Sequence, residues 1–200
     1  MNNENTSTKP SEMNPEDLPD VRAFNDEFTR DFLQSIEETR DGYYPFLSGT
    51  GKYKMDFPAG GIIGEKGYAL KEEEYEGYLI GVEQGNGLGS SIKINYYSQI
   101  GDKDVELDML SKQFDNNLNF EEISLESSTL YIANFEDNEN YYGYAAMLVN
   151  SQGDGIHVIF ETECAEPEKC GESKQDMQKE MKQWIKSITF INENESGDNQ

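Results

Sequence analysis

The stretch "ETECAEPEKCGES", residues 161–173, holds both cysteines of the 200-residue chain, Cys164 and Cys170, with five residues between them. Thiols so spaced suit a metal site, a redox couple, a catalytic nucleophile or a disulfide, and the neighbouring residues decide among these. Zinc wants paired Cys or Cys/His sets, and the chain has one histidine and no other thiol. Redox catalysis favours Cys-x-x-Cys, which is absent. A catalytic thiolate needs an electropositive setting, whereas Glu161, Glu163, Glu166 and Glu168 surround this one with carboxylates. A structural disulfide between Cys164 and Cys170 is the favoured reading. It clasps a strand-to-helix corner and, for so short a loop, stabilises by about 2 kcal/mol.

The lone histidine, His157, lies in "GIHVIFE", where alternation places Ile156, Val158 and Phe160 on one face and His157, Ile159 and Glu161 on the other. It reads as a half-covered sheet residue rather than a general base, because no Gly-x-Ser-x-Gly elbow or second histidine accompanies it. The glycines of "GNGLG" fit neither a dinucleotide fingerprint nor a phosphate loop. No catalytic or cofactor-binding residue is assigned, and the chain is expected not to be an enzyme. Calcium is the one ligand the charge favours. "NFEDNENYYG", residues 134–143, gathers Glu136, Asp137 and Glu139 at a hairpin tip, although it departs from the EF-hand pattern. A solvated acidic loop is the alternative.

Sixteen Lys and Arg stand against forty Asp and Glu, a net charge of −24. Such a field repels phosphate backbones and anionic lipid surfaces, which excludes nucleic acid as a partner. No apolar run reaches the length of a membrane-spanning helix. "MNNENTSTKP" has neither the basic nor the apolar region of a signal peptide, so composition leaves two addresses open, the cytosol or an exterior reached through a targeting segment not in this chain.

The elements that must position these residues follow from periodicity. Residues 1–19 carry three prolines and almost nothing apolar, and read as a flexible tether. Residues 193–200 read as a disordered acidic tail, leaving one domain over 20–192. Val21, Phe24, Phe28, Phe32 and Ile36 recur at helical steps, predicting a first helix capped by Asp20 and ended at Gly42. Period-two segments follow in "KYKMDF", "EYEGYLIGVEQ" and "SSIKINYYSQ", the last two joined by a "GNGLGS" turn. A second helix fits "DVELDMLSKQFDNN", with Asp102 as N-cap. Four strands come next, "FEEISLES", "TLYIANFE", "YYGYAAMLVN" and "GIHVIFETE". Met177, Met181, Trp184, Ile185 and Ile188 then stripe a last helix whose start has a Ser173/Asp176 capping box, and a short strand fits "ITFI". Hairpin-length turns dominate, so the expected fold is α+β, a mainly antiparallel sheet of about six to seven strands covered by helices. Three tyrosine pairs, 43–44, 96–97 and 141–142, should each send one ring inward and one toward solvent.

Several of these landmarks carry a resemblance. "EMNPEDLPDVRAF", "DGYYPF", "YKMDFPAGG", "YYGYAAML", the late cysteine pair and "WIKSITFI" resemble the YvcA-type lipoproteins of Gram-positive bacteria, over residues 11–191. More distantly, "YKMDFPAGG" entering a sheet and a last helix ending in "SITF" are similar to the PsbP-like α/β sandwich. The resemblance implies a lipid-anchored, extracytoplasmic protein whose anchoring cysteine lies outside this chain, with membrane contact through that anchor alone. It brings no catalytic residue. It implies a noncatalytic module that binds an envelope protein or polymer. A calcium-binding accessory protein of the envelope is the alternative.

Overall fold

A computed structural model describes residues 8–83, 88–114, 117–138, 141–164 and 174–191. Two single turns of 3-10 helix, Pro10–Glu12 and Pro15–Asp17, precede the short helices α1 (Arg22–Asn25) and α2 (Glu27–Arg30). The chain then forms β1 (Tyr43–Leu47), β2 (Tyr53–Pro58), β3 (Gly61–Ile63), β4 (Ala69–Lys71), β5 (Tyr75–Glu83) and β6 (Leu88–Tyr97). After α3 (Lys103–Ser111) come β7 (Glu121–Ser124), β8 (Ser128–Asn138), β9 (Tyr141–Asn150) and β10 (Gly155–Cys164). Helix α4 (Lys174–Ile185) and β11 (Thr189–Phe190) complete the fold.

Every strand pairing is antiparallel, but the strands divide into two sheets. A three-stranded sheet runs β1-β2-β11, and an eight-stranded one runs β3-β5-β6-β10-β9-β8-β7 with β4 also on β5. The α+β class and antiparallel pairing hold, while the strand count exceeds the expected six or seven. The additional strands are β1, which directly follows the segment expected to be helical and alternates in burial over its five residues, and β3 and β4, which have three residues each, every residue of β4 being exposed.

The small sheet and α4 cover one face of the large sheet. Tyr53 of β2 reaches across to Tyr78 of β5 and Tyr96 of β6, and its ring lies 5.7 Å from that of Tyr96. Helix α4 buries its expected stripe, Met177, Met181, Trp184 and Ile185, with Ile188 just beyond. The Trp184 indole stands edge-on to Phe160 of β10 at 5.3 Å and donates a 2.7 Å hydrogen bond to the carbonyl of Asp56 in β2, joining helix to both sheets. Arg40 adds a link, with Nε 2.9 Å from Asp56, Nη1 2.6 Å from Glu180 of α4 and its guanidinium over the Tyr43 ring. Helix α3 covers part of the opposite face, burying Leu110 against Phe135 and Ala145.

The first helix is corrected. One amphipathic helix from 21 to 40 is replaced by two four-residue turns and an extended segment whose Leu33 bridges Phe46. Asp26 causes the break: its carboxyl accepts from the amide of Thr29 at 2.9 Å and its hydroxyl at 2.6 Å, starting a new helix inside the predicted one. Val21, not Asp20, occupies the N-cap of α1. Phe24 and Phe32 are buried, but Ile36 is 37% exposed. Gly42 does take a positive φ of 75°, in the turn that leads into β1 rather than at a helix end. Within the segment read as tether, Pro10 is buried and Leu18 lies against the core, while residues 11–12 and 14–17 are exposed. Residues 1–7, the turn at 84–87, Ser173 and the tail at 193–200 lie outside the described residues.

Candidate functional site

The alternation of β5, β6 and β10 sends Tyr78, Ile80, Ile92, Ile94, Val158 and Phe160 into the core between the sheets. The intervening residues therefore face outward. Register aligns Leu79 of β5, Lys93 of β6 and Ile159 of β10 across three adjacent strands. Helix α3 and the segment after it lie over β8–β10 and stop short of β5 and β6, leaving Leu79 46% exposed. Beside these residues Gly81 and Gly89 leave bare backbone, with nothing within 4 Å of where a Cβ would stand.

The step between the bare strands and α3 is a groove. One part, about 760 Å³, has Leu79, Lys93 and Ile159 as its floor, Gln113 and Leu118 as one wall, and Tyr141 at its end. A second part, about 320 Å³, continues from Lys93, Gln113 and Ile159 to Tyr97, Glu106 and His157 beneath α3. The run from Tyr97 to Ser91 along β6 spans roughly 20 Å at the rise of an antiparallel strand, and β10 lies beside it with His157 opposite Asn95 and Glu161 opposite Ser91.

Each end of the groove holds a paired set of polar groups. At one end Glu106 is fixed by the amide of Gly101, which donates to Oε1 at 3.2 Å, while Oε2 faces His157 Nε2 at 3.5 Å. Asp102 caps α3 as expected, accepting from the amides of Asp104 and Val105, and so holds Glu106 one turn in, above the sheet. The His157 side chain is 11% exposed, and its Nε2 is buried without a hydrogen-bond partner. Burial pushes the imidazole pKa down, with Glu106 opposing. The Tyr97 ring lies 5.4 Å from the imidazole, and the Tyr75 hydroxyl donates to Asn95 at 3.0 Å. At the other end the Tyr141 hydroxyl donates to Glu161, and burial together with that carboxylate raises the phenol pKa. Lys93, between the two ends, has no carboxylate partner among the described residues.

The tyrosine pairs behave as their strand positions require. Tyr44, Tyr96 and Tyr142 are buried, and Tyr43, Tyr97 and Tyr141 are partly exposed, two of them in the groove. The acidic tip is only partly described. Glu136 is half-exposed and ion-paired with Lys174, Asp137 follows it on β8, and Glu139 lies outside the described residues. Among the described residues no group of three His, Cys, Asp or Glu is arranged to hold a metal ion. Cys164 ends β10 and is not a free thiol, while Cys170 lies outside the described residues. Periodicity placed His157 and Ile159 on the outward face, but Leu79, Lys93 and Tyr97 join them only through a register that one strand's sequence does not carry.

The family model described as "Putative lipoprotein YvcA" matches residues 19–189. The relative of that name from Bacillus subtilis (strain 168) is 27% identical over 205 residues, covering 94% of this chain and 85% of its own. Among solved structures, the Saccharomyces cerevisiae Ran-binding protein Mog1p is 11% identical with a TM-score of 0.46. A mutant of Mog1 is 8% identical with a TM-score of 0.48. Each of these two alignments covers 76% of this chain and 97% of the other.

Proposed function

Because the chain belongs to the family of YvcA-type lipoproteins, we propose that it is a noncatalytic binding module, held by a lipid at the outer side of the cell membrane, that engages an envelope component through the groove beside α3. The observation that carries this reading is the groove itself. It is concave, it runs along an uncovered part of a rigid sheet, and it mixes apolar floor with polar groups at fixed positions, as ligand sites do. Among the described residues its histidine faces one carboxyl, with no nucleophile between them. The lipid would be attached upstream of the described residues, and an exterior position suits a Cys164–Cys170 disulfide.

The test is made on the protein expressed from its native gene. It should fractionate with membranes, change mass when lipid transfer is blocked, and be digested by protease added to intact protoplasts. Recovery in the soluble cytosolic fraction, protected from that protease, would overturn the reading. Thiol titration of denatured, unreduced protein should find no free cysteine.

A further inference from the structure

We infer that the bare shelf of the groove, around Gly81 and Gly89, docks a basic protein that lays an aromatic ring on the strands. The assignment rests on the binding role proposed above. The first observation is how the chain treats the glycines of this face. The outward-facing positions of β5, β6 and β9 hold Gly77, Gly81, Gly89 and Gly143. Rings of the chain itself cover two of them. Tyr75 Cζ lies 2.9 Å from where a Gly77 Cβ would stand, and Phe135 Cζ lies 2.7 Å from the same point at Gly143. Gly81 and Gly89 have no atom within 4 Å of that point among the described residues, and neither takes a positive φ. Neither crowding nor backbone conformation therefore calls for glycine there, although glycine weakens a strand interior. A strand glycine of this kind marks a place that another molecule approaches closely. In this sheet the group that covers such glycines is an aromatic ring.

The second observation is the register around the shelf. Ile62, Gly81 and Ser91 form one row across β3, β5 and β6, and Leu79 pairs with Lys93 in the next. Ile62, Leu79, Gly81 and Glu83 line a shallow cavity of about 390 Å³. A ring seated there rests one face on backbone and its edge on Leu79 and Ile62. Lys93 is long enough to bring its ammonium over the other face. The ring must come from a different molecule. Residues 1–7, 84–87, 115–116, 139–140, 165–173 and 192–200 contain no Phe, Tyr or Trp. A second copy supplies none either: among the described residues the large apolar side chains it exposes are Ile36, Leu70, Leu79, Val105 and Met109, all aliphatic. Two chains of −24 also repel one another. Charge complementarity gives the partner its sign. Glu161 lies opposite Ser91 and Glu163 opposite Gly89, while Glu83, paired with Arg22, faces Gly89 from the other side. Lysine or arginine flanking the ring meets these carboxylates.

The experiment uses the full 200-residue chain and a heptapeptide with one tryptophan between two pairs of lysines, capped by glycine at each end. The controls are the same peptide with alanine for tryptophan, the same peptide with glutamate for lysine, and chitohexaose as a neutral sugar. Amide chemical shifts and isothermal titration at 150 mM salt are the readouts. The tryptophan peptide should bind with millimolar or tighter affinity, with shifts concentrated at Ile62, Leu79, Gly81, Gly89 and Ser91. Both altered peptides should bind about fivefold more weakly or worse. Gly81→Val fills the shelf, so it should weaken binding about tenfold while leaving the melting temperature equal or higher. Glu163→Lys, at an exposed position, should weaken binding without changing the melting temperature. The inference is overturned if the tryptophan peptide does not bind, if the alanine peptide binds equally, or if Gly81→Val lowers the melting temperature. It is also overturned if chitohexaose alone perturbs these amides, an outcome that would leave the binding role of the groove standing. None of these results touches the membrane-anchored address, which the fractionation above tests separately.

Discussion

The hydroxyls of Tyr53 and Tyr78 meet at 2.8 Å in the middle of the core, one from each sheet. Both rings are buried, and burial raises both phenols well above their ordinary pKa. Each hydroxyl is thus the other's remedy for lost hydration. Tyr78→Phe should lower unfolding free energy by about 1–3 kcal/mol, because it strands the Tyr53 hydroxyl. Replacing both by Phe should cost less than twice that, since no polar group is then left unpaired. Urea melts of the two single variants and the double variant give the coupling directly; strict additivity would show that the contact contributes nothing.

Glu76 is fully buried, and its carboxyl gathers donors from elsewhere in the chain. Gly49 N–H donates to it at 2.9 Å, Thr50 at 3.4 Å from its amide and 3.3 Å from its hydroxyl, and Tyr68 at 2.9 Å. It therefore ties the loop between β1 and β2 to the large sheet. Glu76→Gln turns one acceptor oxygen into an NH2 group facing donors, and should destabilise by at least about 2 kcal/mol. Hydrogen exchange at Gly49 and Thr50 should accelerate along with the loss of stability. Unchanged exchange at those two amides would count against the tie.

Acid should loosen the groove end beneath α3. The His157 pKa is held below its usual value by burial, with Glu106 opposing. Lys93, Asn95 and Tyr97 of β6 and Met147 of β9 surround it on the sheet side, with Glu106 of α3 above. A base whose folded pKa is depressed binds fewer protons in the native than in the unfolded state. Its contribution is therefore present above about pH 6.5 and is lost as pH falls from there toward the lowered value. Urea midpoints at pH 8.0, 6.5 and 5.0 for the native chain and His157→Gln should show their difference changing in that window. Parallel curves would mean the imidazole plays no part.

Calcium is expected to leave the protein's melting temperature nearly unchanged. Lys174 already occupies Glu136, the central residue of the acidic tip, and its ammonium also lies 5.2 Å from the Tyr142 ring centre. A cation arriving there must displace that contact. A rise beyond about 3 °C at millimolar calcium, roughly 1 kcal/mol for a chain of this size, would overturn that expectation.

Much of the fold was legible because its signals are local. The stripe of α4 and the alternation of β2, β5, β6, β8, β9 and β10 are written in consecutive residues, and all form where expected. The division into two sheets is not local. Lys54 of β2 pairs with Leu47 on one side and Thr189 on the other, far apart in sequence. The broken first helix shows a different limit. Its apolar spacing is real, but a single side chain, Asp26, supplies a cap that outcompetes helix continuation. The groove was hidden for the same reason as the two sheets. Lys93 looks like an ordinary exposed strand lysine until register sets it between Leu79 and Ile159 and α3 walls it in.

The large sheet ends in strands of three or four residues, β3 and β4 at one side and β7 at the other. β7 presents Glu121 and Glu122 at that margin, and the part of β8 that runs past it carries Glu136 and Asp137. A neighbouring molecule approaching edge to edge finds only three or four residues to pair with at β3, β4 or β7, and meets carboxyl side chains where β8 runs past β7. Molecules brought side by side would then jostle without fibrillising, and their broad faces would stay available to other partners.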